Sequence, residues 1–129
     1  MPTDATPASP TEAQLKAVRT AIEKAVGAGK YLHTAGIART LPLIEIRWID
    51  PQHPEHGFDT SRAAAMTGVF AGGEVVLAFR TDMEPDELHR LALHELQHAA
   101  DAHLMLAGWD SAILEQRAEE TARRLACWA

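Results

Sequence analysis

The sequence predicts an α+β domain: an N-terminal helix, a small antiparallel sheet of about three strands, a long helix, and a C-terminal helix antiparallel to it. Three observations carry that expectation. Leu15, Val18, Ile22 and Val26 recur at helical spacing; the period changes to two at Ile44, Ile46 and Trp48; and from Pro85 onward two helical segments are separated only by the corner Gly108-Trp109-Asp110. With 129 residues and 47% hydrophobic composition, one core and one domain are expected, over residues 11–129.

Residues 1–10 contain Pro2, Pro7 and Pro10 among Thr, Ser and Ala, and are expected to form a disordered tail because they bury too little apolar surface to offset their ordering entropy. The first helix starts after Thr11 and stops at Gly27 or Gly29. A half-buried strand follows Pro42 and ends at Asp50-Pro51, with Glu45 and Arg47 on its polar face. Residues 51–62 read as an irregular loop. Two apolar runs, 66–70 and 74–79, are split by Ala71-Gly72-Gly73, which is a hairpin signal. The long helix begins near Pro85, where proline suits the first turn and Asp86 and Glu87 complement the helix dipole, and it is expected to run to Gly108. Asp110 is a suitable N-cap for the last helix, whose core face carries Leu114, Ala118, Thr121, Ala122 and Leu125. Aromatic residues make up only 5%, so close packing through Ala is expected.

The charge balance narrows the range of partners. Net charge is -6 and the twelve Lys and Arg are scattered, leaving no basic stripe for a phosphate backbone, so direct nucleic-acid binding is not expected. Cys127 is the single cysteine, which rules out a disulfide framework or a thiolate cluster and suits a reduced compartment. No stretch is long and apolar enough to span a bilayer, and the N-terminus lacks the blocks of a secretory signal. The expected location is cytoplasmic, with no membrane partner; oligomeric state is left open.

The long helix carries the chemistry. His94-Glu95-Leu96-Gln97-His98 is the H-E-x-x-H pattern of zinc-dependent peptidases. Residues four apart stack on one helix face about 6 Å apart along the axis, so two imidazoles can bracket one ion. Glu95, turned by about 100 degrees, reaches the edge of that site and can accept a proton from water there. His89 and His103 are each five positions from the nearer of the pair and rotate away from it. Asp101 shares the face but lies too far along the axis for its short side chain, and suits a supporting role or plain helix surface. His33, His53 and His56 fall in loops or turns.

A catalytic zinc usually takes three protein ligands and keeps a position for water, so a third must come from another element. The flank of the last helix offers Glu115 and Glu119, with Glu120 facing outward. Counting from the corner puts Glu119 nearly level with His98, whereas the pattern Glu115-x-x-Ala118-Glu119 would supply a ligand followed by an acid able to orient a histidine. Either can be the third ligand; the second pattern favours Glu115.

On HELQHAAD at 94–101 and EQRAEETA at 115–122 the chain resembles the gluzincins, and among them the compact ImmA/IrrE-like metallopeptidases. The likeness covers roughly residues 74–126. It implies a minimal zincin-like fold and Zn2+ held by His94, His98 and a helix glutamate. It also implies hydrolysis of a protein or peptide substrate, with Glu95 as general base. Thr121 departs from the pattern, standing where that group has an aromatic residue. Metzincins match less well, since Asp101 replaces their glycine and no third histidine follows; SprT-like peptidases need a later histidine that is missing. The strand 74–79 is expected to hold an extended peptide if it lies at a sheet edge. Tyr31, His33, His53, His56 and Arg80 are all candidates for stabilising an oxyanion. The alternative to an enzyme is a non-catalytic, metal-stabilised regulatory or interaction module of the same fold.

Overall fold

The computed structural model describes residues 8–28, 37–53, 63–70, 72 and 74–126. Residues 1–7 of the expected tail, most of the expected loop at 51–62, and Tyr31, His33, His56 and Cys127 lie outside the described residues. The elements run α1 (Glu12–Gly27), α2 (Ile37–Thr40), a 3-10 turn (Leu41–Leu43), β1 (Ile44–Ile49), β2 (Ala65–Val69), β3 (Val75–Arg80), α3 (Pro85–Ala100), α4 (Ala102–Leu106) and α5 (Ser111–Ala126). The class is α+β as expected, with the helices gathered on one face of a three-stranded sheet.

Thr11 starts α1 through a capping box: its hydroxyl accepts from the Gln14 amide at 3.2 Å, and the Gln14 side chain accepts from the Thr11 amide at 2.9 Å. Gln14 does more than cap. Its side-chain amide donates to the carbonyls of Thr81 and Met83 at 2.9 and 2.7 Å, which fastens the start of α1 to the turn between β3 and α3. The buried face of α1 is Gln14, Val18, Ala21 and Ala25, while Leu15 and Val26 are 37% and 40% exposed. The helix is thus turned from the orientation its largest apolar residues suggest, because Ala21 and Ala25 allow close approach to α3.

The sheet is mixed, and this corrects the expected antiparallel arrangement. Strand order is β1-β3-β2; β2 and β3 form the antiparallel hairpin, closed by the Phe70 amide donating to the Glu74 carbonyl at 2.9 Å, but β1 runs parallel to β3. The physical reason is composition. Val75 to Phe79 are apolar at five consecutive positions and buried on both faces, which suits a central strand, whereas Glu45 and Arg47 suit an edge. The segment 50–64 is long enough to carry the chain across, so that β3 returns between β1 and β2. The helix-facing side of β3 carries Val75, Leu77 and Phe79, and the other side packs Val76 and Ala78 with Ile49 and Met66. The Trp48 and Phe79 rings meet at a tilt of 43° with centroids 5.6 Å apart.

Helix α3 is the hub, packed against α1, α5, β2 and β3. Leu88, Leu93 and Leu96 are all but fully buried along it, each contributing about 1.5–3 kcal/mol of apolar burial. Its helical course is interrupted at Asp101, short of the expected stop at Gly108, and resumes as α4. No Gly or Pro explains the break. The Asp101 carboxylate is instead gripped by Arg117 of α5, through Nε at 2.7 Å and a terminal nitrogen at 2.8 Å. Helix α4 then ends in a Schellman turn: the Trp109 amide donates to Leu104, the Gly108 amide donates to Met105, and Gly108 has φ of +87°, where a side chain would be strained. Asp110 caps α5 by accepting from the Ala112 amide at 2.8 Å. The buried face of α5 is the expected one, Leu114, Ala118, Thr121, Ala122 and Leu125.

Two measurements test this packing. Arg117→Met leaves the Asp101 carboxylate, 1% exposed, without its cation; urea unfolding is expected to show a loss of about 3 kcal/mol, the low end for a broken buried pair because Arg117 itself is 23% exposed. His89 lies with its Nε2 buried and without a hydrogen-bond partner among the described residues, and burial, with Lys24 nearby, holds its pKa below the ordinary value despite Asp86. Between that lowered value and about pH 6.5 the unfolded chain binds more protons than the folded one, so stability falls as pH drops through this window. Relative to His89→Gln, the wild type should lose stability between pH 8 and pH 5, and parallel curves would exclude the effect.

Candidate metal centre

The register of α3 against the sheet places His94, Glu95 and His98 on the side that faces β2 and α5. His94 is 8% exposed, Glu95 7%, and the His98 side chain 13%. One helical turn separates the two imidazoles, whose centroids are 5.0 Å apart at an interplanar angle of 68°. From α5, Glu115 meets both: Oε1 lies 2.8 Å from His94 Nε2 and Oε2 lies 3.1 Å from His98 Nε2. Donor atoms of these three residues all lie within 4.8 Å of one another.

Glu119, one turn further along α5, takes the other nitrogen of His94, with Oε1 2.8 Å from Nδ1. A carboxylate thus faces each nitrogen of the His94 ring. If the ring proton sits at Nδ1 on Glu119, Nε2 keeps its lone pair. A lone pair facing a carboxylate oxygen at 2.8 Å needs a cation to satisfy both, either a proton or a metal ion. Two imidazoles and a carboxylate are a donor set that zinc accepts at about 2.0–2.2 Å, so the residues fit the ion. His98 has no such support among the described residues: its Nδ1 is buried with no hydrogen-bond partner there.

The setting of α5 against α3 is held by two polar rungs inside the interface. Thr121 donates to the Gln97 side-chain oxygen at 2.7 Å, both residues being 1% exposed or less, and Arg117 grips Asp101. As the α3 partner falls from 101 to 97, the α5 partner rises from 117 to 121, which makes the helices antiparallel. Thr121, where the resemblance leads one to expect an aromatic, is therefore a paired buried hydroxyl. Asp101 is a buried structural acid rather than a ligand. Sequence reasoning missed Arg117; the available signal was an acid on the buried face of α3, which requires a cation nearby.

A cleft of about 480 Å³ opens onto the cluster. One wall is β2, with Ala65, Met66 and Thr67; the other is the α4–α5 corner, with Met105, Trp109 and Leu114. Glu95 lines it between them, its Oε1 accepting from the Thr67 hydroxyl at 2.5 Å. The remaining candidates fall elsewhere. Glu120 pairs with Arg124 at 3.1 Å, His103 is exposed on α4, and His89 is not among the cluster. His53 contacts Asp50 and Arg80 pairs with Asp82; neither lines the cleft. β3 is the central strand, so the strand 74–79 offers no free edge to a peptide; the strand beside the cleft is β2.

No family model, curated protein or solved structure matches this chain. The gluzincin resemblance therefore rests on the residues themselves.

Titration with zinc is expected to show one ion bound per chain. If Glu115 is a ligand and Glu119 the acid that orients His94, Glu115→Gln should weaken binding by more than about a hundredfold and Glu119→Gln by about tenfold. Calorimetry with a competing chelator distinguishes them, and the reverse order would exchange their roles.

Proposed function

We propose that this chain is a zinc-dependent peptidase in which His94, His98 and Glu115 hold the ion and Glu95 is the general base. One observation supports this above all. Both Nε2 atoms converge on the Glu115 carboxylate while Glu95, from the same helix, borders the same cleft. Glu119 sits behind His94 instead of on the side where the three donors meet, so among the described residues the cluster has three protein donors and lines an open cleft. That is the pattern of a site with room for water and substrate.

When bound, zinc supplies Lewis acidity that lowers the pKa of water and polarises a carbonyl. The protein's own groups do the rest. Glu95 takes a proton from the attacking water and delivers it to the departing amine, so that one carboxylate serves as base and then acid. Glu119 keeps the Nδ1 proton of His94 in place, which fixes the ring's orientation and strengthens Nε2 as a donor. The outer edge of β2 is free of strand partners among the described residues, and an extended peptide laid along it would pass over Glu95. Met66, Met105, Trp109 and Leu114 give the cleft apolar walls suited to the side chains of such a peptide.

Glu95→Gln is expected to keep zinc affinity and thermal stability while cutting hydrolysis of labelled casein by at least about a hundredfold. A fully active variant would remove Glu95 from the mechanism. A wild type that gains thermal stability with zinc yet cleaves nothing would favour the metal-stabilised interaction module instead.

A further inference from the structure

The contact between β2 and Glu95 goes beyond what the H-E-x-x-H pattern contains, and it rests on the peptidase reading for its catalytic meaning. On the side of β2 facing α3, Ala65 and Val69 belong to the apolar packing, and Thr67 between them is polar. A hydroxyl in that row is costly unless it is bonded. Thr67 Oγ1 finds its partner in Glu95: it donates to Oε1 at 2.5 Å and lies 3.4 Å from the backbone carbonyl of the same residue. Glu95 is 7% exposed, so this hydroxyl meets a carboxylate that water reaches poorly.

We propose that Thr67 is a positioning residue for the general base, its hydroxyl tethering Glu95 Oε1 to the edge strand and leaving Oε2 for proton transfer. A glutamate has three side-chain torsions, and a base must be held within a fraction of an ångström of the proton it removes. The helix sets where Glu95 begins; the tether sets where its carboxylate ends. β2 is also the strand whose outer edge, without a strand partner among the described residues, borders the cleft, so one element would position both the base and a bound peptide. A hydroxyl needed only for packing would be replaceable by a methyl group, since Val has nearly the shape of Thr and suits a strand.

The test compares Thr67→Val, Thr67→Ser and Thr67→Ala with the wild type. Two readouts are used. The first is the carboxyl-carbon resonance of Glu95 in metal-free protein labelled with 13C-glutamate, assigned by its disappearance in Glu95→Gln. The second is kcat and KM for fluorescein-labelled casein with zinc loaded. The expected result is a shifted resonance and about a tenfold or greater fall in kcat for Val and Ala, with KM and zinc affinity unchanged, and near-complete recovery of both readouts in Ser. Should Val fold poorly on the strand, Ala and Ser carry the comparison. An unmoved resonance, or full turnover without the hydroxyl, overturns the positioning role and leaves the peptidase reading intact. A zinc-loaded wild type that cleaves nothing overturns the peptidase reading, and with it the catalytic meaning of the tether, whatever the resonance does.

Discussion

Two imidazoles on α3 and a carboxylate on α5 come within a few ångströms of a common point, and that meeting depends on how one helix is set against the other. A shift of α5 by one residue would move Glu115 about 1.5 Å along the axis and turn it by about 100 degrees, out of reach of both rings. Apolar packing alone is a weak guard against such slippage, because Leu and Ala faces of similar shape can interdigitate in neighbouring registers. The interface carries two polar rungs that cannot slide. Gln97–Thr121 and Asp101–Arg117 each fit this register, and sliding α5 would part the buried Thr121 hydroxyl from Gln97 and the buried Asp101 carboxylate from its cation.

The sheet plays a second positioning part. β3 takes the centre because it is apolar on both faces, and this leaves β2 at the edge beside α3. The hairpin brings Thr67 level with Leu77, on the side toward the helices, where it meets Glu95. The clamp from Gln14 to Thr81 and Met83 ties the chain just before α3 to the start of α1, so the helix that bears the histidines is fixed at its entry as well as along its length. At the far end, Gly108 and the capped start of α5 make a tight corner that returns Glu115 toward His94 and His98 while presenting Trp109 and Met105 to the cleft.

Much of the helical part was legible because its signals are local. Pro85 with its acidic first turn, Gly108 at a positive φ, and Asp110 capping α5 are places where one residue's backbone preference decides an end. The core face of α5 followed directly from its period. On α1 the period misled in part, since Val18 is buried and Ile22 packs against the core, but Leu15 and Val26 lie on the flank and Ala21 and Ala25 take the buried face. The break at Asp101 has no Gly or Pro to mark it, and for Arg117 the sequence carried only the indirect signal of an acid on the buried face of α3, because the partner lies on another helix. Strand direction was missed too, although five consecutive apolar positions in β3 already marked a strand buried on both sides.

By itself the sequence determined that His94 and His98 share a helix face with Glu95 beside them, because α-helical geometry follows from spacing alone. It also narrowed the third donor to Glu115 or Glu119. Only the tertiary structure set Glu115 opposite both Nε2 atoms and Glu119 at His94 Nδ1, and only it brought Thr67 from the edge strand onto Glu95. The reason is that a residue's neighbours within one helix are fixed by a repeat, whereas its neighbours across elements depend on the register and rotation that the whole core selects.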